Sequence, residues 1–338
     1  MSVVLGIESS CDEAAVALVA DGRQVLAEDV ASLADDMAAW GGVVPELAAR
    51  GHVAAFPTLI ERLLRQAGCQ LTDVDVVAVT AWPGLIGSLI CGVTAAKVLA
   101  ARLAVPLVAV HHIQAHLAAA QLGRDDLRYP FLGLVASGGH SHYYRCEAPG
   151  QLQLLGGTID DAAGEAFDKA AAVLELGYPG GPLIDALAAE GNPKAYRLPR
   201  SFLRDDTARL SFAGLKTAFL YQLRGPRGEQ ALQVDAAGKR DAAASFQAAV
   251  VDCLVGKLRL LAQQQALRRV VVGGGVACNR GLRAALAICD DLDVILPEPR
   301  HCGDNGAMIA ALGEHLHQRG EHSSLALAPL PTGKVAAG

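Results

Sequence analysis

The sequence predicts an α/β protein made of two duplicated domains, on three observations. Short apolar runs of strand length alternate with longer amphipathic or apolar stretches of helix length. The composition is 52% hydrophobic and 19% charged, with 36 glycines and 4% aromatics, which suits buried strands joined by tight turns and excludes a disordered chain. The pattern that opens the chain, a strand, a hydroxyl-bearing turn and a second strand, returns at Phe131. At 338 residues there is room for two cores. The duplication predicts two domains around a nucleotide cleft, each contributing one phosphate-facing hairpin.

In chain order, Val3 to Ile7 is a strand, Glu8-Ser9-Ser10-Cys11-Asp12-Glu13 a polar turn, and Ala14 to Ala20 a second strand ended by Asp21-Gly22. Such a turn can present hydroxyls to a phosphate or acids to a metal; Ser and Asp also simply favour turns. Gly41-Gly42 predicts a turn, and Pro45 starts a helix running to about Gln66. Asp75 to Thr80 is a strand that enters the Pro83-Gly84 turn and a helix ending near Leu103, and Val105 to Val110 is the next strand. Phe131 to Ala136 and His142 to Cys146 flank Ser137-Gly138-Gly139-His140-Ser141, where successive backbone N–H groups can form an anion nest. A helix is expected over Ile159 to Lys169, and another opens after Tyr178-Pro179-Gly180-Gly181. Lys194, Arg197, Arg200, Arg204 and Arg209 surround Tyr196 and Phe202 in a segment without periodicity, which is either an RNA-facing patch or an ordinary solvated loop. Helices rich in Ala and Gln follow Ser211. The strand Arg269 to Val272 then leads into Gly273-Gly274-Gly275 and a helix from Gly281, a layout that suits a nucleotide phosphate. The spacing is close to a dinucleotide fingerprint, but the parallel repeats of a Rossmann enzyme are missing. Val294 to Pro297 is the last strand, and Asp304 precedes the last helix, Ala307 to Gln318.

A formal charge of −6 means that any nucleic-acid partner is held by local basic patches rather than by the whole molecule. The eight cysteines show no C-x-x-C pair and no regular framework, as expected of thiols in a reducing cytoplasm. The N-terminal residues lack the pattern of a signal peptide. The apolar stretch Leu89 to Val110 carries Lys97, Arg102 and Pro106, which predicts a buried helix and strand rather than a membrane span.

Three histidines lie within six residues, His111-His112-Ile113-Gln114-Ala115-His116. On a helix, His112 and His116 share one face a turn apart and can aim at one point. The pair is either a two-ligand metal clamp or two buried histidines satisfied by backbone carbonyls. Asp304, an acid in a turn at a helix start, can cap that helix or face the two histidines.

The ordered set GIESSCDE, GGVVPELAAR, PGLIGSL, VHHIQAH, SGGH, IDDAAGEAFDK, YPGGP, SFAGLKT, GGGVACNR and CGDNGAMIA resembles the TsaD family. That family transfers threonylcarbamoyl to tRNA adenosine and was long labelled O-sialoglycoprotein endopeptidase. The resemblance implies the actin-like fold of the chaperone ATPases and sugar kinases. An N-terminal domain 1–128 would be completed by a C-terminal helix 305–338, and the second domain would cover 129–304. It implies one divalent metal, Fe2+ with Zn2+ as the alternative, held by His112, His116 and Asp304. It also implies contacts to threonylcarbamoyl-AMP, or to ATP as adenine nucleotide, from Val135, Ala136, Ser137, Gly138, Gly139, Asp168, Gly181, Asp185 and Asn279. The implied partners are tRNA, a TsaB-like paralogue and a TsaE-like ATPase, with no membrane. Asp12 and Glu13 are the acids expected to orient or deprotonate the attacking amine, with Glu8 a third candidate. Trp82, Ala136 and Cys278 depart from the family pattern, Trp82 replacing a usual glycine. The competing readings are a small-molecule kinase of this fold, a noncatalytic scaffold without the triad, and a metalloprotease, which lacks its H-E-x-x-H general base.

Overall fold

The computed structural model of the chain describes residues 1–33, 37, 43–228, 230–232 and 234–332; the expected Gly41-Gly42 turn lies outside them. The chain forms two compact units. The first comprises Met1–Tyr129, Cys146–Gln153 and Pro297–Gly338, and the second Pro130–Arg145 and Leu154–Leu296.

The first unit is built on a five-stranded sheet: β1 (Val3–Glu8), β2 (Glu13–Ala20), β3 (Gln24–Ser32), β4 (Val76–Trp82) and β5 (Leu107–His111), in the order β3-β2-β1-β4-β5. β1 pairs antiparallel with β2 and parallel with β4, and β4 pairs parallel with β5. Side chains alternate along β1. Val3, Leu5 and Ile7 point to one face, where they meet α1 (Pro45–Ala67) and α2 (Ile86–Leu103). Full burial of Leu5 and of Ile7 stabilises by roughly 1.5–3 kcal/mol each.

The opposite face is lined by small residues, and against it pack α3 (His112–Ala118) and the last helix, Gly306–Gln318. A Cβ on Gly6 would sit 2.1 Å from the carbonyl oxygen of Gly306, and one on Gly313 2.4 Å from Ala78 Cβ. Helix and strand therefore touch at backbone distance, which fixes where that helix begins. It ends at Gln318 rather than continuing through 305–338, and the described chain beyond it runs in turns and irregular segments.

The second sheet, in the second unit except for Cys146–Gln153 of its β7–β8 hairpin, consists of β6 (Phe131–Ala136), β7 (Ser141–Ala148), β8 (Gln151–Gly157), β9 (Arg269–Gly273) and β10 (Asp293–Ile295), in the order β10-β9-β6-β7-β8. Read from its other edge this order matches that of the first sheet, strand for strand. Its helices are α4 (Ala163–Val173), α5 (Gly180–Ala188), α6 (Ala213–Arg224), α7 (Ala236–Gln264) and α8 (Arg280–Ala287), and the last helix of the chain is α9. The helix expected over Ile159 to Lys169 starts instead at Ala163. Asp160 is occupied elsewhere: its carboxylate accepts hydrogen bonds from Ser211 Oγ at 2.6 Å and from the Phe212 backbone N–H at 2.8 Å, a competition typical of Asp at helix ends.

Candidate metal centre

The parallel strands of the first sheet deliver the side chains. At the C-terminal ends of β1, β4 and β5 stand Glu8, Thr80 and His111, where ligands of open α/β sheets collect. His111 is the N-cap of α3, its Nδ1 accepting from the Ile113 N–H at 3.2 Å. His112 and His116 follow one turn apart, with ring centroids 4.7 Å apart and planes at 75°. His116 is fully buried and His112 nearly so.

Asp304 meets them from the start of α9. Its Oδ1 lies 3.2 Å from His116 Nε2 and 3.6 Å from His112 Nε2. It is not the helix cap, because Asn305 fills that place, Oδ1 accepting from the Met308 N–H at 2.8 Å. All three residues offer a donor atom within 4.8 Å of one another.

These donors fit a single divalent ion. Ligand bonds near 2.1 Å place two donors of one ion roughly 3–3.5 Å apart, close to the two distances from Asp304 to the histidines. Both ring nitrogens of His116 are buried without a hydrogen-bond partner, the contact of Nε2 with Asp304 being misaligned. A buried polar atom left so costs about 1–3 kcal/mol, which coordination at Nε2 offsets. Two imidazoles and a carboxylate suit iron or zinc and leave positions for substrate oxygens.

Glu8, fully buried, backs this centre. Its Oε1 accepts from the Ser10 N–H and its Oε2 from Thr80 Oγ, both at 2.5 Å. His112 Nδ1 lies 3.1 Å from the same Oε2 and 3.2 Å from Ser10 Oγ. A carboxylate at Nδ1 assigns the ring proton to that nitrogen and turns Nε2 toward Asp304. Burial alone raises the Glu8 carboxyl, but the adjacent His112 ring holds it below the ordinary value. Burial lowers His112, yet Asp304 and Glu8 together push it up to about 9. Glu8 is thus engaged by the Ser10 N–H, Thr80 and His112.

Asp12 and Glu13 close the same turn. Asp12 is buried, and its carbonyl accepts from the Leu33 N–H. Burial, then the charges of Asp304 and Asp12, push Glu13 up to about 9, so it keeps its proton at neutral pH; a cation on Asp304 acts in the opposite sense. Gly84, after Trp82 and Pro83, packs on this turn, its Cβ position being 2.6 Å from the Ser10 carbonyl oxygen. Trp82 packs on the core beside α2 and pairs with His111 across β4 and β5.

The remaining expected site residues lie in the second unit. Val135 pairs with Gly273 on adjacent parallel strands. Gly274, at φ +89°, has its Cβ position 2.3 Å from the Ala136 carbonyl oxygen, so the two strand ends and their turns lie side by side. Ser137 N–H donates to the His140 carbonyl at 2.7 Å. Gly138 and Gly139 have open space where a side chain would be, as does Gly181. Asp168 Oδ1 accepts from the Gly180 N–H at 2.8 Å at the start of α5. Asp185 is gripped by Arg280, which donates from backbone N–H at 3.0 Å and Nε at 2.7 Å. Asn279 caps α8, Oδ1 accepting from Leu282 N–H at 2.9 Å, and its amide donates to Gln247 Oε1 at 2.6 Å.

Comparison with known proteins bears on these groups together. The family described as "TsaD: tRNA N6-adenosine threonylcarbamoyltransferase" matches residues 24–311. The tRNA N6-adenosine threonylcarbamoyltransferase of Geotalea uraniireducens is 49% identical over 93% of this chain and 91% of its own length. That of Geobacillus kaustophilus is 47% identical over 97% and 96%. Among solved structures, HypF of T. kodakarensis is similar with a TM-score of 0.60, 16% identity, and coverage of 96% of this chain and 48% of its own. Component A of the Acidaminococcus fermentans (R)-2-hydroxyglutaryl-CoA dehydratase gives 0.56 and 16%, covering 93% and 98%. At that identity these two speak for the fold alone, the actin-like ATPase fold.

Proposed function

The chain belongs to the TsaD family, the tRNA N6-adenosine threonylcarbamoyltransferases, and on that premise we propose the reaction it performs. It transfers threonylcarbamoyl from threonylcarbamoyl-AMP to N6 of the adenosine next to the anticodon, in tRNAs reading codons that begin with A. The observation that carries this reading is similarity running through nine-tenths or more of both chains.

His112, His116 and Asp304 hold one divalent ion, Fe2+ with Zn2+ as the alternative. When bound, it supplies a Lewis acid that polarises substrate oxygens. Glu8 keeps the His112 proton on Nδ1 so that Nε2 stays available. The N6 amine forms its bond to the carbamoyl carbon as the bond from that carbon to the AMP phosphate oxygen breaks. Asp12 takes the amine proton, and Glu13 on the same turn orients the amine. In the second unit, Val135, Ala136, Ser137, Gly138 and Gly139, with Asp168, Gly181, Asp185 and Asn279, bind the adenylate; the open space at the glycines supports this.

A TsaB-like paralogue and a TsaE-like ATPase are the protein partners. Ile86, Ile90 and Val98 along α2, with Val53 on α1, are exposed apolar residues of the kind that a partner covers. That helix is long and apolar enough to cross a membrane, but Leu89, Val93, Ala96 and Ala100 bury its other side. The eight free cysteines accord with the cytoplasm.

The test is incubation of the purified chain and its partners with threonylcarbamoyl-AMP and tRNA, then digestion to nucleosides and mass analysis. Threonylcarbamoyl on N6 of adenosine, with stoichiometric AMP, is expected. Hydrolysis of the adenylate without a modified nucleoside, or phosphorylation of a small molecule, contradicts the proposal.

A further inference from the structure

Residues 189–212, between α5 and α6, form no regular element. Uninterrupted loops longer than roughly 12–15 residues are uncommon inside compact domains and usually carry function. This one is pinned along α7. Asn192 N–H donates to Asp241 at 2.7 Å, Tyr196 N–H to Ser245 Oγ at 3.1 Å, and Arg200 Nε to Asp252 at 2.8 Å. Leu203 lies against Gly256, leaving no room for a Cβ there. Lys257, fully buried, donates to the Asp205 carbonyl at 2.7 Å and its carboxylate at 2.5 Å, and Gln264 reaches the Asp206 carbonyl at 3.0 Å. Apart from the adjacent Gly256 and Lys257, these anchors recur four or seven residues apart, on one face of the helix.

The anchoring takes up two nearby acids, Asp205 and Asp252, while Asp206 is exposed and held through its backbone carbonyl. Asp205 is held by Lys257 and also by Arg209, whose guanidinium lies over the Phe202 ring 4.5 Å from its centroid. Asp252 is taken by Arg200. On the outer side Lys194, Arg197 and Arg204 are exposed, with no acidic partner among the described residues. Arg197, Arg200, Phe202 and Arg204 border a hollow of about 650 Å³. A chain of net charge −6 thus carries a stiff loop with spare positive charge around a concave surface. Preorganised guanidinium groups suit phosphates, which they contact through planar, paired donors.

We propose that residues 189–212 are a preformed docking surface for the tRNA backbone, with Arg197 and Arg204 contacting phosphates. This rests on the reading that tRNA is the substrate. RNA is favoured over an acidic protein because the hollow joins separated cationic groups to an aromatic ring, the combination that follows a nucleic-acid strand.

The test measures equilibrium binding of tRNA to the full chain with its partners, as a function of salt, for wild type and for R197Q/R204Q. Each phosphate contact contributes about 0.7–0.9 to the slope of log affinity against log salt. The double variant is expected to lower that slope by about 1.4–1.8, to weaken binding without regard to sequence, and to raise KM for tRNA with kcat retained. R259Q, which removes an arginine paired with Asp291 elsewhere on the surface, is expected to leave the slope at the wild-type value. An unchanged slope and KM in the double variant overturns the proposal, as does a loss confined to assembly with the partner proteins, which assigns the surface to an acidic protein. Because binding is read directly, either result is distinct from failure of the transfer reaction itself.

Discussion

Glu8 decides how His112 is presented. With Thr80 and the Ser10 N–H holding the carboxylate, the imidazole can turn only its Nε2 to Asp304. Glu8→Gln is expected to lower metal affinity by about 10–100-fold in a titration of the metal-free protein, and unchanged affinity refutes the role. Asp12→Asn is expected to keep the ion but slow transfer by about 10²–10⁴-fold; simultaneous loss of metal would make Asp12 structural instead. His112 and His116 were legible as a pair because helical spacing alone puts them on one face. Asp304 reads from the sequence as either cap or ligand; in the structure Asn305 is the cap. The division of labour among Glu8, Asp12 and Glu13 was not legible. Three acids in one turn differ only in what they touch, and their partners Thr80 and His112 arrive from strands distant in sequence.

Two elements hold the centre in place. α9 carries Asp304 and lies on β1 at the distance that Gly6 and Gly306 allow. Gly6→Ala is expected to cost about 1–3 kcal/mol through overpacking and to weaken metal binding as the helix start shifts; thermal unfolding and metal titration report the two effects. A Tm at the wild-type value removes the packing argument.

The loop on α7 gives a pH signature. Lys257 first, with Thr207, holds Asp205 down to about 2, below its unfolded value near 3.9. The stability this adds is present above about pH 4 and is lost as pH falls toward 2. Lys257→Met is expected to remove that portion of the acid transition, followed by proteolysis of the loop; an unchanged profile contradicts it. Most strands could be read from apolar runs, but β3 and β8 were missed. Both are sheet edges, and β3 carries Glu28 and Asp29 with mixed exposure, so neither shows the continuous apolar signal of a central strand.

At the scale of the whole molecule, the repeated strand, turn, strand pattern was the sign of the fold. Both sheets have one strand order. The identity of the reaction was legible only through the ordered motifs, since no single turn distinguishes a transferase from a kinase of the same fold. What joins fold to chemistry in the proposed reading is a metal ion at His112, His116 and Asp304, the group that could hold one. The most direct measurement is therefore transfer of labelled threonylcarbamoyl to tRNA by the chain and its partners, after metal depletion, after re-addition of Fe2+ or Zn2+, and in the His116→Ala variant. Transfer lost on depletion, restored by one of the two ions in the wild type and not restored in the variant is the expected result. Undiminished transfer by protein shown to be metal-free contradicts the assignment.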